Sequence, residues 1–386
     1  MQYRTNPKTG EQISALAFGC MRFHKDEAEV ERQIRYAINQ GINYFDTAYI
    51  YTGSEAILGR ILAKDDLRSQ VYIADKLPYY LVRKPADFER LFQTQLTRLQ
   101  TDYIDYYMVH MLPSLTSWEK LCQLGILDWI QEKKASGAIR QMGFSFHGSG
   151  QDFIDLIDAW DWEFTMIQYN YYDEHFQAGR RGLEYAAEKG IPVMVMEPLR
   201  GGTLVHQLPP AAQAVWEKAP GKRSPAEWAL RWVWDHPQVL TALSGMTTME
   251  MLEENIRVAS QGSPGSLTDQ ELALYDQVST AIRAVLKSPC TGCGYCMPCP
   301  AGVDIPLCLT KLNDAALGGR WMSMYWYAAT GDGKNASLCN GCGKCEKHCP
   351  QGIPIRTALQ QTVRELERFP YGVIRFMTRK MLKKKR

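Results

Sequence analysis

No uncharged apolar run in this 386-residue chain approaches the ~18 residues of a membrane-spanning helix, so no transmembrane segment is expected. A charge excess of one sign is also missing. Lys and Arg number 44 against 42 Asp and Glu, a formal +2, which removes the bulk electrostatic case for nucleic acid. The opening Met1-Gln-Tyr-Arg-Thr-Asn-Pro7 holds no apolar stretch of the signal-peptide kind, so a cytoplasmic location is expected and disulfides are not. No G-x-G-x-x-G turn follows the first apolar segment, which counts against an open dinucleotide-binding sheet. Cysteine, by contrast, is plentiful at eleven residues.

Eight of the eleven fall in two runs. The first reads Cys290-Thr-Gly-Cys293-Gly-Tyr-Cys296-Met-Pro-Cys299-Pro300, and the second Cys339-Asn-Gly-Cys342-Gly-Lys-Cys345-Glu-Lys-His-Cys349-Pro350. The second has the C-x2-C-x2-C-x3-C-P spacing of bacterial ferredoxins, and the first is one residue short of it. Three cysteines at intervals of three wrap three corners of an iron–sulfur cube. In two-cluster ferredoxins the fourth corner comes from the other run. Two 4Fe–4S clusters in crossed ligation are therefore expected: Cys290, Cys293, Cys296 and Cys349 on one, and Cys339, Cys342, Cys345 and Cys299 on the other. A zinc ribbon uses two separated C-x2-C pairs and suits these runs poorly. Cys20, Cys122 and Cys308 are expected to act as small buried hydrophobes.

Residues 1–262 alternate strand and helix signals. Strands are expected at 13–19, 42–48, 71–77, 104–110, 139–145, 164–169, 192–196 and 239–244. Each precedes a helical pattern, at 26–40, 54–64, 85–99, 118–135, 151–159, 181–189, 225–235 and 249–259. Eight such units with apolar strands predict an α/β fold, a closed (β/α)8 TIM barrel. The stretch 198–224 after the seventh strand is long enough to be a functional loop. A linker and helix at 263–285 lead to a mainly α-helical, ferredoxin-like domain at 286–370. There, Trp321-Met-Ser-Met-Tyr-Trp-Tyr327 is expected to pack around the clusters. The tail 371–386 carries seven basic and no acidic residues. It reads as a solvated terminus, with an acidic partner or anionic membrane surface as the alternative.

Chemistry in a closed barrel of this kind sits at the C-terminal strand ends. Asp46 ends the second strand with Tyr51 in the following loop, Lys76 ends the third and His110 the fourth. A tyrosine, with an ordinary pKa near 10, becomes a useful acid when a cation stabilises its phenolate. Lys76 supplies that cation, Asp46 balances it, and His110 orients a carbonyl oxygen. Such a set protonates an oxygen that gains negative charge as hydride reaches carbon.

With these residues the chain resembles the aldo-keto reductase superfamily. The likeness rests on Phe45-Asp-Thr-Ala-Tyr-Ile-Tyr51-Thr-Gly-Ser-Glu55-Ala-Ile-Leu-Gly59, Lys76 and Asp102-Tyr-Ile-Asp105-Tyr-Tyr-Met-Val-His110. Gly143-Phe-Ser145, Gln168 and Glu254-Asn255 extend it, and the cysteine runs make the whole similar to iron–sulfur aldo-keto reductases. The resemblance implies Asp46, Tyr51, Lys76 and His110 as the catalytic tetrad, a small-molecule carbonyl or alcohol substrate, and NAD(P)H lying across the mouth. It places Ser145 and Gln168 on the nicotinamide carboxamide. Met196, Glu197, Leu199, Glu254 and Asn255 stand at further cofactor positions. Several positions depart from the family pattern. Phe146 replaces the usual Asn, Met196 the stacking aromatic, and Glu197 a small hydroxyl that Arg200 would have to neutralise. Gly245 and Met251 replace the Lys and Arg that meet a 2′-phosphate, so an NADP preference has no support here.

Hydride chemistry moves two electrons and a 4Fe–4S cluster ordinarily moves one, which a flavin commonly bridges. Three readings follow: a carbonyl oxidoreductase whose clusters exchange electrons with an external carrier, the same enzyme with structural or sensing clusters, or an electron-transfer protein whose barrel binds nicotinamide weakly or a flavin instead.

Overall fold

The computed structural model describes residues 1–330 and 333–383, with backbone alone at 318, 330 and 379–383. The chain forms two compact units, Met1–Leu199 with Arg223–Asp269, and Arg200–Lys222 with Gln270–Arg386. The loop after the seventh strand, expected within the 1–262 barrel segment, thus groups with the C-terminal unit.

In the first unit eight parallel strands close into a barrel. They are β1 (Leu16–Gly19), β2 (Tyr44–Asp46), β3 (Tyr72–Leu77), β4 (Ile104–Leu112), β5 (Ile139–Phe146), β6 (Phe164–Gln168), β7 (Val193–Met196) and β8 (Val239–Ser244). Each strand pairs with its sequence neighbours, and β8 closes on β1 through Ala242 opposite Leu16. Local sequence explains the outer layer. In helix Glu27–Asn39, Asp26 accepts a hydrogen bond from the Ala28 N–H as N-cap, and Val30, Ile34 and Ala37 are buried at helical spacing.

Tyr44, Tyr106, Phe164, Met166 and Met194 fill the barrel interior together with Ile13. Each such burial contributes about 1.5–3 kcal/mol. The N-terminal segment sits on this plug: Asn6 Nδ2 donates to the Tyr106 hydroxyl at 3.0 Å, which donates to Glu11 at 2.5 Å. Polar groups that must reach solvent or a ligand are left to the opposite end, where the strands terminate.

Two expected elements break. The strand at 13–19 divides because Gln12–Ser14 pairs antiparallel with Tyr3–Thr5, while Ser14 Oγ donates to the Leu16 carbonyl at 2.7 Å. The helix at 118–135 is two helices, Leu115–Gln123 and Ile126–Ala135, parted where Gly125 takes φ 85°. The loop expected at 198–224 carries helices Thr203–His206 and Pro210–Glu217.

The second unit is mainly helical, with Asp269–Arg283, Ile305–Asp314, Arg320–Thr330, Ile355–Leu366 and Tyr371–Lys383. Its core holds Val303, Ile305, Leu309, Tyr327, Ile353 and Ile355. The segment 321–327 packs only in part: Met324 and Tyr327 are buried, whereas Trp321, Met322, Tyr325 and Trp326 are exposed. The basic tail is helical through Lys383, and 384–386 lie outside the described residues.

Candidate active site and cluster cradle

The carboxylate of Asp46, the last residue of β2, meets the Lys76 ammonium from β3. Lys76 Nζ donates to Asp46 Oδ1 at 2.6 Å and to the Thr47 carbonyl at 2.6 Å. Both side chains are almost wholly buried. Burial raises the Asp46 carboxyl above its ordinary range, opposed by the Lys76 charge. The turn after β2, with the Tyr51 N–H donating to the Ala48 carbonyl at 2.9 Å, carries a partly exposed Tyr51. Lys76 Nζ lies 4.9 Å from the Tyr51 ring centroid, and the Tyr51 and His110 rings meet edge-on at 6.1 Å. The structure thus brings all four expected tetrad residues together.

His110 is aimed by a bulge. The β4–β5 register shifts between Val109 and Leu112, and Met111 adopts φ 56°, a left-handed conformation rare for a side chain of its size. The Met111 N–H donates to Ser145 Oγ at 2.8 Å, so Ser145 holds the bulge from β5. Burial, then the Lys76 charge, then His147, push the His110 imidazolium well below its ordinary range. A neutral imidazole results, able to donate or accept without carrying charge into the mouth.

The expected cofactor positions spread over four strand ends. Gln168 ends β6, where Gln177 Nε2 donates to its Oε1 at 3.2 Å and its Nε2 donates to Asp173 at 2.9 Å. Met196 ends β7, and Glu197 follows with φ 55°. Leu199 ends the first of the two segments that make up the first unit. Asn255 is buried on helix Met249–Ala259 and donates to Ser244 Oγ at 3.0 Å, while its neighbour Glu254 is partly exposed. Phe146 lies wholly inside, packed on Phe144 and Phe153, away from any polar role. Arg200, buried in the second unit, donates to the Pro289 carbonyl at 2.9 Å.

Several residues of this site escape a sequence reading. Thr47 accepts from Lys76 through its carbonyl, while its hydroxyl pairs with Ser54 Oγ at 2.7 Å. Asn170 and Asp173 brace the turn after β6, with Asn170 Nδ2 donating to the Glu197 carbonyl at 3.2 Å. A polar cluster within five residues of Gln168 was a readable signal. His147 contacts Gln177 at 3.0 Å across thirty residues, and burial lowers its pKa to about 4. Behind Lys76, burial and then the neighbouring Glu55 carboxylate hold Asp75 well above the carboxylate range, while Arg98 donates to Glu55 at 2.7 Å.

In the second unit the two cysteine runs share a local design. Gly292 and Gly294 have φ 68° and 81°, and Gly341 and Gly343 have φ 77° and 71°. These left-handed turns reverse the chain between successive cysteines, so that the sulfurs can face one centre. Each run then continues through Cys-Pro-x-Gly into a helix, at Ile305 and at Ile355. Cys290, Cys293 and Cys296 line a small cavity together with Cys349 of the other run, walled by Ile305 and Ile353. Cys299, Cys339 and Cys345 border the same apolar core.

No disulfide forms among the described residues. Burial, then the charges of Cys293, Cys290 and Cys349, raise the Cys296 thiol to about 12. Four crowded sulfurs in an apolar wall suit a cationic iron centre, which reverses that penalty. Among the described residues, no three His, Cys, Asp or Glu side chains converge on one metal ion.

The profile of the aldo/keto reductase family matches residues 15–279. The chain belongs to the aldo/keto reductase family. A 4Fe-4S dicluster domain profile matches 289–354, so an iron–sulfur domain follows the reductase barrel. Protein tas of Escherichia coli strain K12 is 27% identical over 323 residues, covering 66% of this chain and 92% of that one. The methylglyoxal reductase YeaE of the same strain is 27% identical over 285 residues, covering 70% and 92%. The holo form of aldo-keto reductase AKR11C1 from Bacillus halodurans superposes with a TM-score of 0.61 at 25% identity, covering 72% of this chain and 96% of that one. This family member is therefore an oxidoreductase by descent, and aldo/keto reductases typically use NAD(P)H.

Proposed function

We propose that this chain interconverts a carbonyl and an alcohol, with Tyr51 as general acid and base, and holds two 4Fe–4S clusters. The supporting observation is Lys76, ion-paired at 2.6 Å to Asp46 and 4.9 Å from the Tyr51 ring. In the reducing direction hydride adds to the carbonyl carbon, and the Tyr51 hydroxyl gives its proton to the oxygen. The Lys76 charge stabilises the phenolate left behind, and solvent restores its proton. Neutral His110 donates to the substrate oxygen and sets its position. Asp46 pairs with the Lys76 ammonium at 2.6 Å and balances its charge in a buried site.

Ser145, Gln168, Met196, Glu197, Leu199, Glu254 and Asn255 would hold a nicotinamide, which would supply the hydride. Gly245 and Met251 offer no cation to a 2′-phosphate. Cys290, Cys293, Cys296 and Cys349 would hold one cluster, and Cys299, Cys339, Cys342 and Cys345 the other, each supplying single-electron chemistry. The substrate is a small carbonyl or alcohol, the working compartment the cytoplasm, and an external electron carrier exchanges with the clusters.

A second reading is favoured by Gln168, whose amide is engaged at both ends, and by Phe146, which is turned into the core. On it the barrel binds nicotinamide weakly, or a flavin instead, and serves electron transfer or redox sensing. Anaerobic titration with NADH and with NADPH separates the two. Carbonyl turnover supports the enzyme reading, and cluster bleaching during turnover shows that the clusters take part. An absence of both sinks it.

A further inference from the structure

Among the described residues, most of the large apolar side chains that the second unit exposes lie on two helices that pack together. In Arg320–Thr330 the residues alternate in pairs. Ser323, Met324, Tyr327 and Ala328 face the core, while Trp321, Met322, Tyr325 and Trp326 face solvent. The solvent face is the more aromatic of the two, the reverse of an ordinary surface helix. Helix Tyr371–Lys383 packs against it, with the Tyr327 and Tyr371 rings 5.6 Å apart. Its outer face carries Val373, Phe376 and Met377, and Phe369 stands in the turn before it. Trp321 is 66% exposed, Phe376 68% and Phe369 87%. Large apolar side chains left in water together mark an interaction surface.

Charge identifies the partner. Residues 355–386 contain ten Lys and Arg against Glu365 and Glu367, while the whole chain carries a net charge of only +2. The basic excess is therefore concentrated on the segment that presents Phe369, Phe376 and Met377. Aromatic and Met side chains beside Lys and Arg, on an amphipathic helix, have the composition of an element lying in a lipid–water interface. The rings enter the acyl boundary while the cations meet anionic headgroups. A second copy of this chain fits poorly, because pairing the two faces would set one basic tail against another.

We propose that helices Arg320–Thr330 and Tyr371–Lys383 form a peripheral docking surface for an anionic membrane. The inference is independent of the barrel chemistry.

The test uses the full-length, cluster-loaded chain with phosphatidylcholine vesicles and with mixed phosphatidylcholine–phosphatidylglycerol vesicles. Co-sedimentation with the mixed vesicles at low salt is expected, with a blue shift of tryptophan emission, release at high salt, and none with phosphatidylcholine alone. The Trp321→Ser, Phe376→Ser double variant should lose at least about tenfold in vesicle affinity while keeping its iron content and carbonyl turnover. Failure to bind mixed vesicles at low salt overturns the proposal, and so does binding that the double variant leaves unchanged. Equal binding to soluble polyglutamate would assign the surface to an acidic polypeptide. A concentration-dependent dimer abolished by the double variant would assign it to a second copy. Either result contradicts the membrane reading.

Discussion

Lys76 Nζ sits 2.6 Å from Asp46 Oδ1, and the two side chains are only 2% and 5% exposed. Two charges so far from water are tolerable only as a pair, and they hold one another in the mouth of the barrel. Lys76→Met should therefore cost about 3–5 kcal/mol in denaturant unfolding, because it strands the Asp46 carboxylate. The double variant Lys76→Met, Asp46→Leu should regain most of that loss. Additive losses in the cycle would show that the pair is not coupled.

His147 links acid stability to the site. Unfolded histidine takes a proton near 6.5, but buried His147 does so only near 4. The native state binds fewer protons between those values, so this residue's contribution is whole above pH 6.5 and is lost as pH falls toward 4. The loss approaches about 3 kcal/mol. His147→Gln, which keeps an amide within reach of Gln177, should flatten the stability curve over that window. Parallel curves for the two proteins would refute it.

Crossed ligation can be read from paired substitutions. Cys349→Ser and Cys290→Ser should bleach the same cluster, although the residues lie in different runs, and each should halve the iron content. Cys299→Ser and Cys342→Ser should both remove the other. The check is the electron paramagnetic resonance of the reduced single variants. Matching losses for Cys349→Ser and Cys342→Ser would instead assign each run to its own cluster.

Gly59, in the helix after β2, is held by a close approach. A Cβ there would stand 2.4 Å from the Arg98 carbonyl and 2.6 Å from Leu99 C, both backbone atoms. Gly59→Ala should destabilise by about 1–3 kcal/mol despite its better helix propensity. Equal or higher stability in thermal unfolding would show that the two helices separate freely.

The barrel was legible because strand and helix periods differ and because a parallel sheet needs strands that are apolar on both faces. Asp46, Lys76 and His110 were legible because strand ends converge on one mouth. Gly125 was the missed signal in the helix expected at 118–135, since a glycine amid helical spacing admits both a continued helix and a left-handed stop. The short side chain of Ser14, bonding to the Leu16 carbonyl, parts two strands that run together as an apolar string. His147 and Gln177 are joined only by tertiary folding, as are Asp75 and Glu55, and no local period encodes such pairs. The exposed ring of Trp321 went against the general rule that aromatic blocks are core, for which composition alone carries no correction.

Tyr51 is the residue on which the proposed proton transfer depends most directly. Anaerobic steady-state carbonyl reduction with NADH and with NADPH should fall by about 10²–10⁴-fold in Tyr51→Phe, with iron content and unfolding midpoint unchanged. A Tyr51→Phe protein that retains full turnover would contradict the proposed acid and the tetrad built around it.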